Sequence, residues 1–336
     1  MLAAVVDRYG PPEVVRVEEL TFGGGAVPVA GSGELVVRVH AATVSSADAR
    51  VRAMRMPSAA YGVLGRLVFG LRGPRCRVLG GDLSGVVVEC GEGVEGWSPG
   101  DAVVASLGAA FGGHAEFVRV KSKGCLARRP AGLSHAEAAA SVFGGMTALA
   151  YLRDFGEVGP GERVLVVGAA GAVGVAAVQE AARLGAMVTG VCRGANAELV
   201  RSLGAARTID HTVERYQDGP ERYDVVFDTV GVLGEREGGR LLRPGGRMLA
   251  AVMGLRQTVR VLVRRRGVLR GGIVTERRER LEEVLDLAAR GVVRPVIGWR
   301  GGLHDVSAAH ALADSGRKVG SAVIEMACER AGNGVV

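Results

Sequence analysis

Val164-Leu165-Val166-Val167-Gly168-Ala169-Ala170-Gly171-Ala172-Val173-Gly174 reads as a strand, a glycine turn and the start of a helix. Four consecutive aliphatic residues suit a strand buried on both faces. The helix runs over 172–184 and stops at Gly185. That order brings backbone N–H groups and the positive end of a helix dipole to a pyrophosphate. The strict dinucleotide pattern is Gly-x-Gly-x-x-Gly. Here Ala169 takes the first position, with Gly171 and Gly174 in register. The expected cradle is Gly168, Ala169, Ala170, Gly171, Ala172, Val173 and Gly174. Gly174 is expected to let helix and strand pack closely. The plain alternative is a glycine turn in a glycine-rich chain.

Downstream the alternation repeats. Val188–Cys192 is a second strand, and a helix over 195–203 stops at Gly204. Strands follow at Thr208–Asp210, Tyr223–Asp228 and Arg247–Val252, then a helix near 278–290 ended by Gly291. The tail adds a helix near 305–314 and a strand at Ala322–Glu325. Upstream, Ser134-His135-Ala136-Glu137 is a capping box opening a helix to about Leu152. Strands alternating with helices imply parallel βαβ units and a doubly wound sheet. In such sheets an acid about 20 residues past the glycine turn binds the ribose 2′-OH of NAD. Val188 to Arg193 offers none. Cys192 and Arg193 end the strand, and Arg193 stands where a 2′-phosphate would sit, so NADPH is expected. A solvated Arg is the alternative.

The first 125 residues have another character. Short alternating runs lie at Leu35–His40, Gly85–Glu89, Ala102–Ala105 and Glu116–Val120. Turn signals at Pro11-Pro12, Gly23-Gly24-Gly25 and Ser98-Pro99-Gly100-Asp101 separate them. They predict a partly closed antiparallel β-barrel. The fold class is therefore α/β, a barrel beside a doubly wound sheet.

Composition narrows the function classes. The chain has 336 residues, 48% hydrophobic and 23% charged, as expected for about two globular domains. Glycine is high at 53 residues and aromatics low at 4%. Only Lys121, Lys123 and Lys318 among the 42 basic residues are not Arg. Five scattered cysteines without a CxxC read as reduced thiols in a cytoplasmic protein. No signal peptide or membrane-spanning stretch is evident. The net charge of +7 is matched by segment 256–280 alone, with nine Arg against two Glu. That run lacks aromatic interleaving and any nucleic-acid motif, so nucleic acid is not an expected partner. A solvated face, a subunit contact or an anionic partner remain open for it.

Several segments together resemble the medium-chain dehydrogenase/reductase superfamily, in its zinc-independent, quinone-oxidoreductase-like (zeta-crystallin-like) branch. They are Ala4 to Glu13, Val78-Leu79-Gly80-Gly81-Asp82-Leu83-Ser84-Gly85, Gly91-x-Gly93-Val94 leading to Pro99-Gly100-Asp101, Gly145-Met146-Thr147-Ala148, the glycine turn, Leu203-Gly204-Ala205, and Phe227-Asp228-Thr229-Val230-Gly231. The resemblance implies a GroES-like catalytic domain over 1–125, completed by 292–336. A Rossmann NADPH-binding domain over 126–291 lies between, and the chain is expected to form a homodimer. Zinc-dependent members carry Cys and His ligands where this chain has Ser45, Ser46 and Gly81, so no metal is expected.

Without zinc, the resemblance implies NADPH-dependent hydride transfer to an activated C=C of an enone, quinone or enoyl thioester. The substrate is a small carbonyl-conjugated molecule, with CoA or carrier-protein thioesters among the candidates and no membrane partner. A cyclising tailoring enzyme and a redox-inert NADPH-binding protein are the alternatives. Ser45 and Ser46 are candidates to hydrogen-bond a substrate carbonyl, or simply to cap the next helix. Tyr61, in an apolar loop Ala59 to Leu71, is a candidate proton donor. His114 is expected to pack near the cleft. Thr147 is expected on the nicotinamide side, and Thr229, Val230 and Met253, after strand ends, along the ribose and nicotinamide.

Overall fold

The computed structural model describes residues 1–22, 25, 27–264 and 267–326. Gly23-Gly24, Arg265, Arg266, Cys328 and the last residues of the tail lie outside the described residues.

The chain opens with an antiparallel ribbon, β1 (Leu2–Val6) on β2 (Val15–Glu19). The long strand β3 (Glu34–Val44) leads into helices α1 (Ser46–Ala53) and α2 (Ala59–Phe69). Strands β4 (Asp82–Cys90), β5 (Ala102–Ser106), β6 (Phe117–Lys121) and β7 (Cys125–Arg128) follow. They pair antiparallel as β3-β4-β5-β7, with β6 on β3. Alternation in β3 and β4 turns Leu35, Val37, Leu83 and Val87 into one shared apolar core.

Helix α3 (His135–Leu149) then runs between this sheet and a second one. Its capping box is formed as the sequence proposes: Ser134 Oγ accepts the Glu137 N–H, and Glu137 accepts the Ser134 N–H. The second sheet is all parallel. Its elements are β8 (Arg163–Val167), α4 (Ala172–Arg183), β9 (Met187–Cys192), α5 (Ala197–Ser202), β10 (Arg207–Asp210), β11 (Tyr223–Asp228), α6 (Glu235–Arg240), β12 (Leu242–Ala250), α7 (Leu255–Val263) and β13 (Leu269–Arg270). The strand order is β10-β9-β8-β11-β12-β13. The chain leaves β8 in one direction and returns to its other side at β11, a topological switch point. After α8 (Arg278–Ala289) it goes back to the first sheet through β14 (Ile297–Gly302), α9 (Val306–Asp314) and β15 (Ser321–Glu325). Strand β15 pairs antiparallel with β3 and parallel with β14.

Three local expectations differ. The helix from Ser134 does not stay regular to Leu152. Past Leu149 it widens into a π-helical turn over Ala150–Phe155. There the Tyr151 hydroxyl donates to the Ala250 and Gly272 carbonyls at 3.1 and 3.0 Å. The apolar loop Ala59 to Leu71 is mostly helix. Ser58 Oγ caps it by accepting the Tyr61 N–H, while Gly62 and Gly65 made the stretch look like a loop. The Arg-rich run contains α7. There Leu255, Val259, Leu262 and Val263 recur at i, i+4, i+7 and i+8, a period that the arginines obscured.

Candidate functional site

The glycine turn stands at the switch point. Val164, Leu165 and Val166 of β8 are fully buried, which anchors it. The Gly168 and Ala169 N–H groups donate to the Val191 carbonyl of β9, at 3.1 and 2.9 Å. Gly168 has φ +81°, and a Cβ there would come 2.7 Å from Thr229 Oγ1 and Val230 Cγ1. A Cβ on Gly174 would lie 2.1 Å from the Gly168 carbonyl, so only glycine lets α4 approach the turn this closely. Gly171 caps α4 without a side-chain bond, and the first intrahelical bond runs from Val175 N–H to Gly171 O at 2.9 Å. The N–H groups of Val173 and Gly174 therefore precede the helical ladder and suit an anion. Helix α3 presses on the same place, because a Cβ on Gly144 would be 2.2 Å from the Ala172 carbonyl. That brings α3, and partly exposed Thr147 one turn along it, past the mouth of the turn.

The strand ends beside the turn hold the other expected residues. Thr229 Oγ1 donates to the Val167 carbonyl at 2.8 Å, joining β11 to β8. The fully buried Asp228 carboxylate accepts the N–H groups of Val230, Gly231 and Leu233, at 3.0, 2.8 and 2.7 Å. It thereby shapes the loop that presents Thr229 and Val230, a role hidden in the sequence motif. Met253 lies partly buried between β12 and α7. Cys192 is buried at the end of β9, where burial raises its thiol pKa. Arg193 is exposed next to it. Asp210, at the end of β10, brings a carboxylate to the same edge. A Cβ on Gly194 would meet its Oδ2 at 2.4 Å. Asp210 already accepts the Thr212 N–H and hydroxyl, at 2.9 and 2.7 Å.

The barrel supplies the opposite wall. Ser45 is the N-cap of α1: its Oγ donates to Asp48 Oδ2 at 2.5 Å and accepts the Asp48 N–H at 3.2 Å. This bond engages the hydroxyl proton that a substrate carbonyl would need. Ser46, in the first turn of α1, makes no side-chain hydrogen bond among the described residues. Asp48 Oδ1 accepts the Gly80 N–H at 3.1 Å. Tyr61 donates its hydroxyl to Thr258 Oγ1 at 2.7 Å and so ties α2 to α7. His114 is fully buried, with Nε2 at 2.9 Å from the Thr43 carbonyl. A Cβ on Gly80, at φ +95°, would lie 2.5 Å from the His114 ring, so this histidine packs under the turn before β4.

Two residues of this wall escaped the sequence reading. Asp82, 5% exposed, accepts the Ser106 hydroxyl at 2.8 Å. Burial pushes its carboxyl up to about 7. The Ser106 bond offsets part of that, while Asp48 and Glu276 push upward. Glu276 belongs to the segment after β13, and its carboxylate lies 2.7 Å from where a Gly108 Cβ would be. The turns around Asp82 thus face the second sheet. Lys318 is the other. Burial pulls its ammonium down to about 8, partly countered by Asp48. Its Nζ donates to the Gly320 carbonyl at 2.7 Å, and the Gly320 N–H donates to the Ala170 carbonyl of the glycine turn at 2.8 Å. The only signals were an Asp after two glycines and a rare Lys near the end.

The fold and site define a nucleotide-cleft protein of dehydrogenase type. A doubly wound sheet presents its glycine turn to a barrel built from both ends of the chain. Two family profiles match: alcohol dehydrogenase GroES-like domain over residues 31–131, and zinc-binding dehydrogenase over residues 203–324. The mouse mitochondrial NAD(P)H oxidoreductase RTN4IP1 is 34% identical over 241 residues, covering 69% of this chain and 60% of its own. This chain's match spans the same 60% of the human and bovine counterparts. The 2-methylene-furan-3-one reductase of Solanum lycopersicum is 30% identical over 330 residues, covering 94% of this chain and 76% of its own. The structure of Escherichia coli quinone oxidoreductase complexed with NADPH superposes with a TM-score of 0.78 at 25% identity, covering 97% and 100% of the two chains. The chain belongs to the medium-chain dehydrogenase/reductase superfamily, among its quinone-oxidoreductase-like members.

Proposed function

We propose that this protein is an NADPH-dependent, zinc-free reductase of an activated C=C bond in an enone, quinone or enoyl thioester. The observation that carries the reading is the glycine turn. Gly168, Gly171 and Gly174 shape it, and the Val173 and Gly174 N–H groups at the start of α4 suit a pyrophosphate. Arg193 fits a 2′-phosphate, and Asp210 beside it is already engaged by Thr212. Ser45, Ser46 and Gly81 stand where a zinc site would need thiolate or imidazole, and they lack that donor set. On this reading the barrel unit comprises 1–125 with 292–336, and the nucleotide unit 126–291.

NADPH, when bound, supplies a hydride to the β-carbon and is oxidised to NADP⁺ as the C=C bond is reduced. The residues of the chain handle orientation, charge and the proton. Thr147, Thr229, Val230 and Met253 flank the reacting end. Negative charge grows on the carbonyl oxygen, and Ser46 is the side chain on the barrel wall that can donate to it, the Tyr61 hydroxyl proton being engaged by Thr258. Asp82, whose neighbouring turn meets Glu276 of the segment after β13 and whose burial lifts its carboxyl to about 7, is the proton source this reading assigns for the α-carbon. A CoA or carrier-bound thioester suits the arginines beside the cleft.

NADPH titration followed by nicotinamide fluorescence, then an enone, quinone and enoyl-CoA panel followed by NADPH oxidation, tests this. Wild type binds NADPH and turns over at least one class, and Arg193→Ala weakens NADPH at least tenfold while changing NADH less than twofold. Tight binding without oxidation across the panel would remove the reductase reading in favour of a cyclising or redox-inert protein. Equal losses for both nucleotides would remove the 2′-phosphate assignment.

A further inference from the structure

Helices α2 and α7 carry a feature that cleft chemistry does not use. On α2, Val63, Leu64, Leu67 and Val68 are each more than half exposed, and only Gly65 of the helix is buried. On α7 no residue is buried. At 100° per residue, Leu255, Val259, Leu262 and Val263 share one exposed stripe of α7. Arg256, Arg260 and Arg264 form the next stripe, and partly buried Gln257, Thr258 and Val261 face the protein. The two helices meet at the Tyr61–Thr258 hydrogen bond.

Charge indicates what covers these stripes. Residues 54–81 and 252–274 contain five and six arginines and no Asp or Glu. Arg72, Arg75, Arg256 and Arg264 make no ion pair among the described residues. A second copy brought face to face would set like charges against each other. Protein interfaces anchor on Trp and Tyr as well as Arg, and the exposed aliphatic stripes contain no Trp or Tyr. Aliphatic side chains next to unpaired arginines match acyl chains beneath phosphate headgroups.

We propose that α2 and α7 form an interfacial surface that docks this protein on an anionic lipid bilayer. This revises the expectation of no membrane partner, which rested on the lack of a spanning segment. Among the described residues no helix is long and apolar enough to cross a membrane, and docking does not require one. The proposal stands whether or not the cleft reduces a C=C bond.

The test is flotation of the full chain with phosphatidylcholine vesicles, with and without phosphatidylglycerol, over a salt series. The expected result is at least tenfold more protein floating with the anionic vesicles, declining as salt rises. Leu67→Glu with Leu262→Glu abolishes flotation, and Arg256→Gln with Arg264→Gln reduces it severalfold. Both variants keep the wild-type melting temperature and NADPH titration. No preference for anionic vesicles overturns the proposal, as does undiminished flotation of the Leu67→Glu/Leu262→Glu variant. A dimer seen by light scattering that this variant dissociates, without flotation of the wild type, assigns the surface to self-association. Binding of poly-glutamate without flotation assigns it to an acidic protein.

Discussion

Asp82 shows how much one residue's chemistry depends on its surroundings. In the sequence it is an acid after two glycines. In the fold it is buried against Ser106 and faces carboxylates from α1 and from the segment after β13. A carboxyl held near 7 in the folded state but near 3.8 when unfolded binds extra protons in the folded state. Its favourable contribution is complete below about pH 4 and is lost as pH rises through 7. Asp82→Asn keeps an acceptor for Ser106 and removes the titration. The variant should match wild type at or below about pH 4, melt progressively higher than wild type between pH 4 and 7, and keep a constant lead above pH 7. Its kcat should fall at least tenfold with NADPH affinity unchanged, and the limb near pH 7 should vanish from the rate profile. Scanning fluorimetry and a pH–rate series check both. Gly174 was legible because its requirement is local. Asp82 was not, because the groups that raise it are 34 and 194 positions away in the chain.

At the scale of elements, the glycine turn works because α3 and α4 are pressed together. Gly144→Val would drive a side chain into the Ala172 carbonyl, which a Cβ alone would approach to 2.2 Å. It should cost about 1–3 kcal/mol of stability. NADPH affinity should fall at least tenfold, because the start of α4 shifts. Urea melts and a fluorescence titration read the two effects separately. Periodicity and glycine stops gave five of the six parallel strands and helices α4, α5 and α8 within a few residues, and Tyr223–Asp228 in full, but not α6 or β13. They failed where charge or glycine masked the period, at α2 and α7. Both helices lie on the surface, so packing never forced an unambiguous apolar pattern there.

At the scale of the whole molecule, β15 closes the first sheet about 280 residues after β3 opened it. Ile324, fully buried in that strand, pairs with Ala42. Ile324→Ala should cost about 2–5 kcal/mol. Because α3 packs on β3, β4 and β15 of the first sheet and on α4 and α8 beside the second, the loss should lower a single unfolding transition instead of splitting it, which calorimetry would show. The net charge also belongs to this scale. Two arginine-bearing segments, 54–81 and 252–274, carry +11 against the chain total of +7, and the Tyr61–Thr258 bond brings them together.

By itself the sequence determined the doubly wound sheet, the glycine turn, the barrel runs and the superfamily. Each follows from short-range pattern: aliphatic runs, helix caps, glycine at set spacing. Only the tertiary structure decided that Asp82 is buried among carboxylates, and that α2 and α7 share one exposed apolar and basic surface. Those outcomes depend on burial and on charges from distant segments, whose effect is set by distance in space and not by position along the chain.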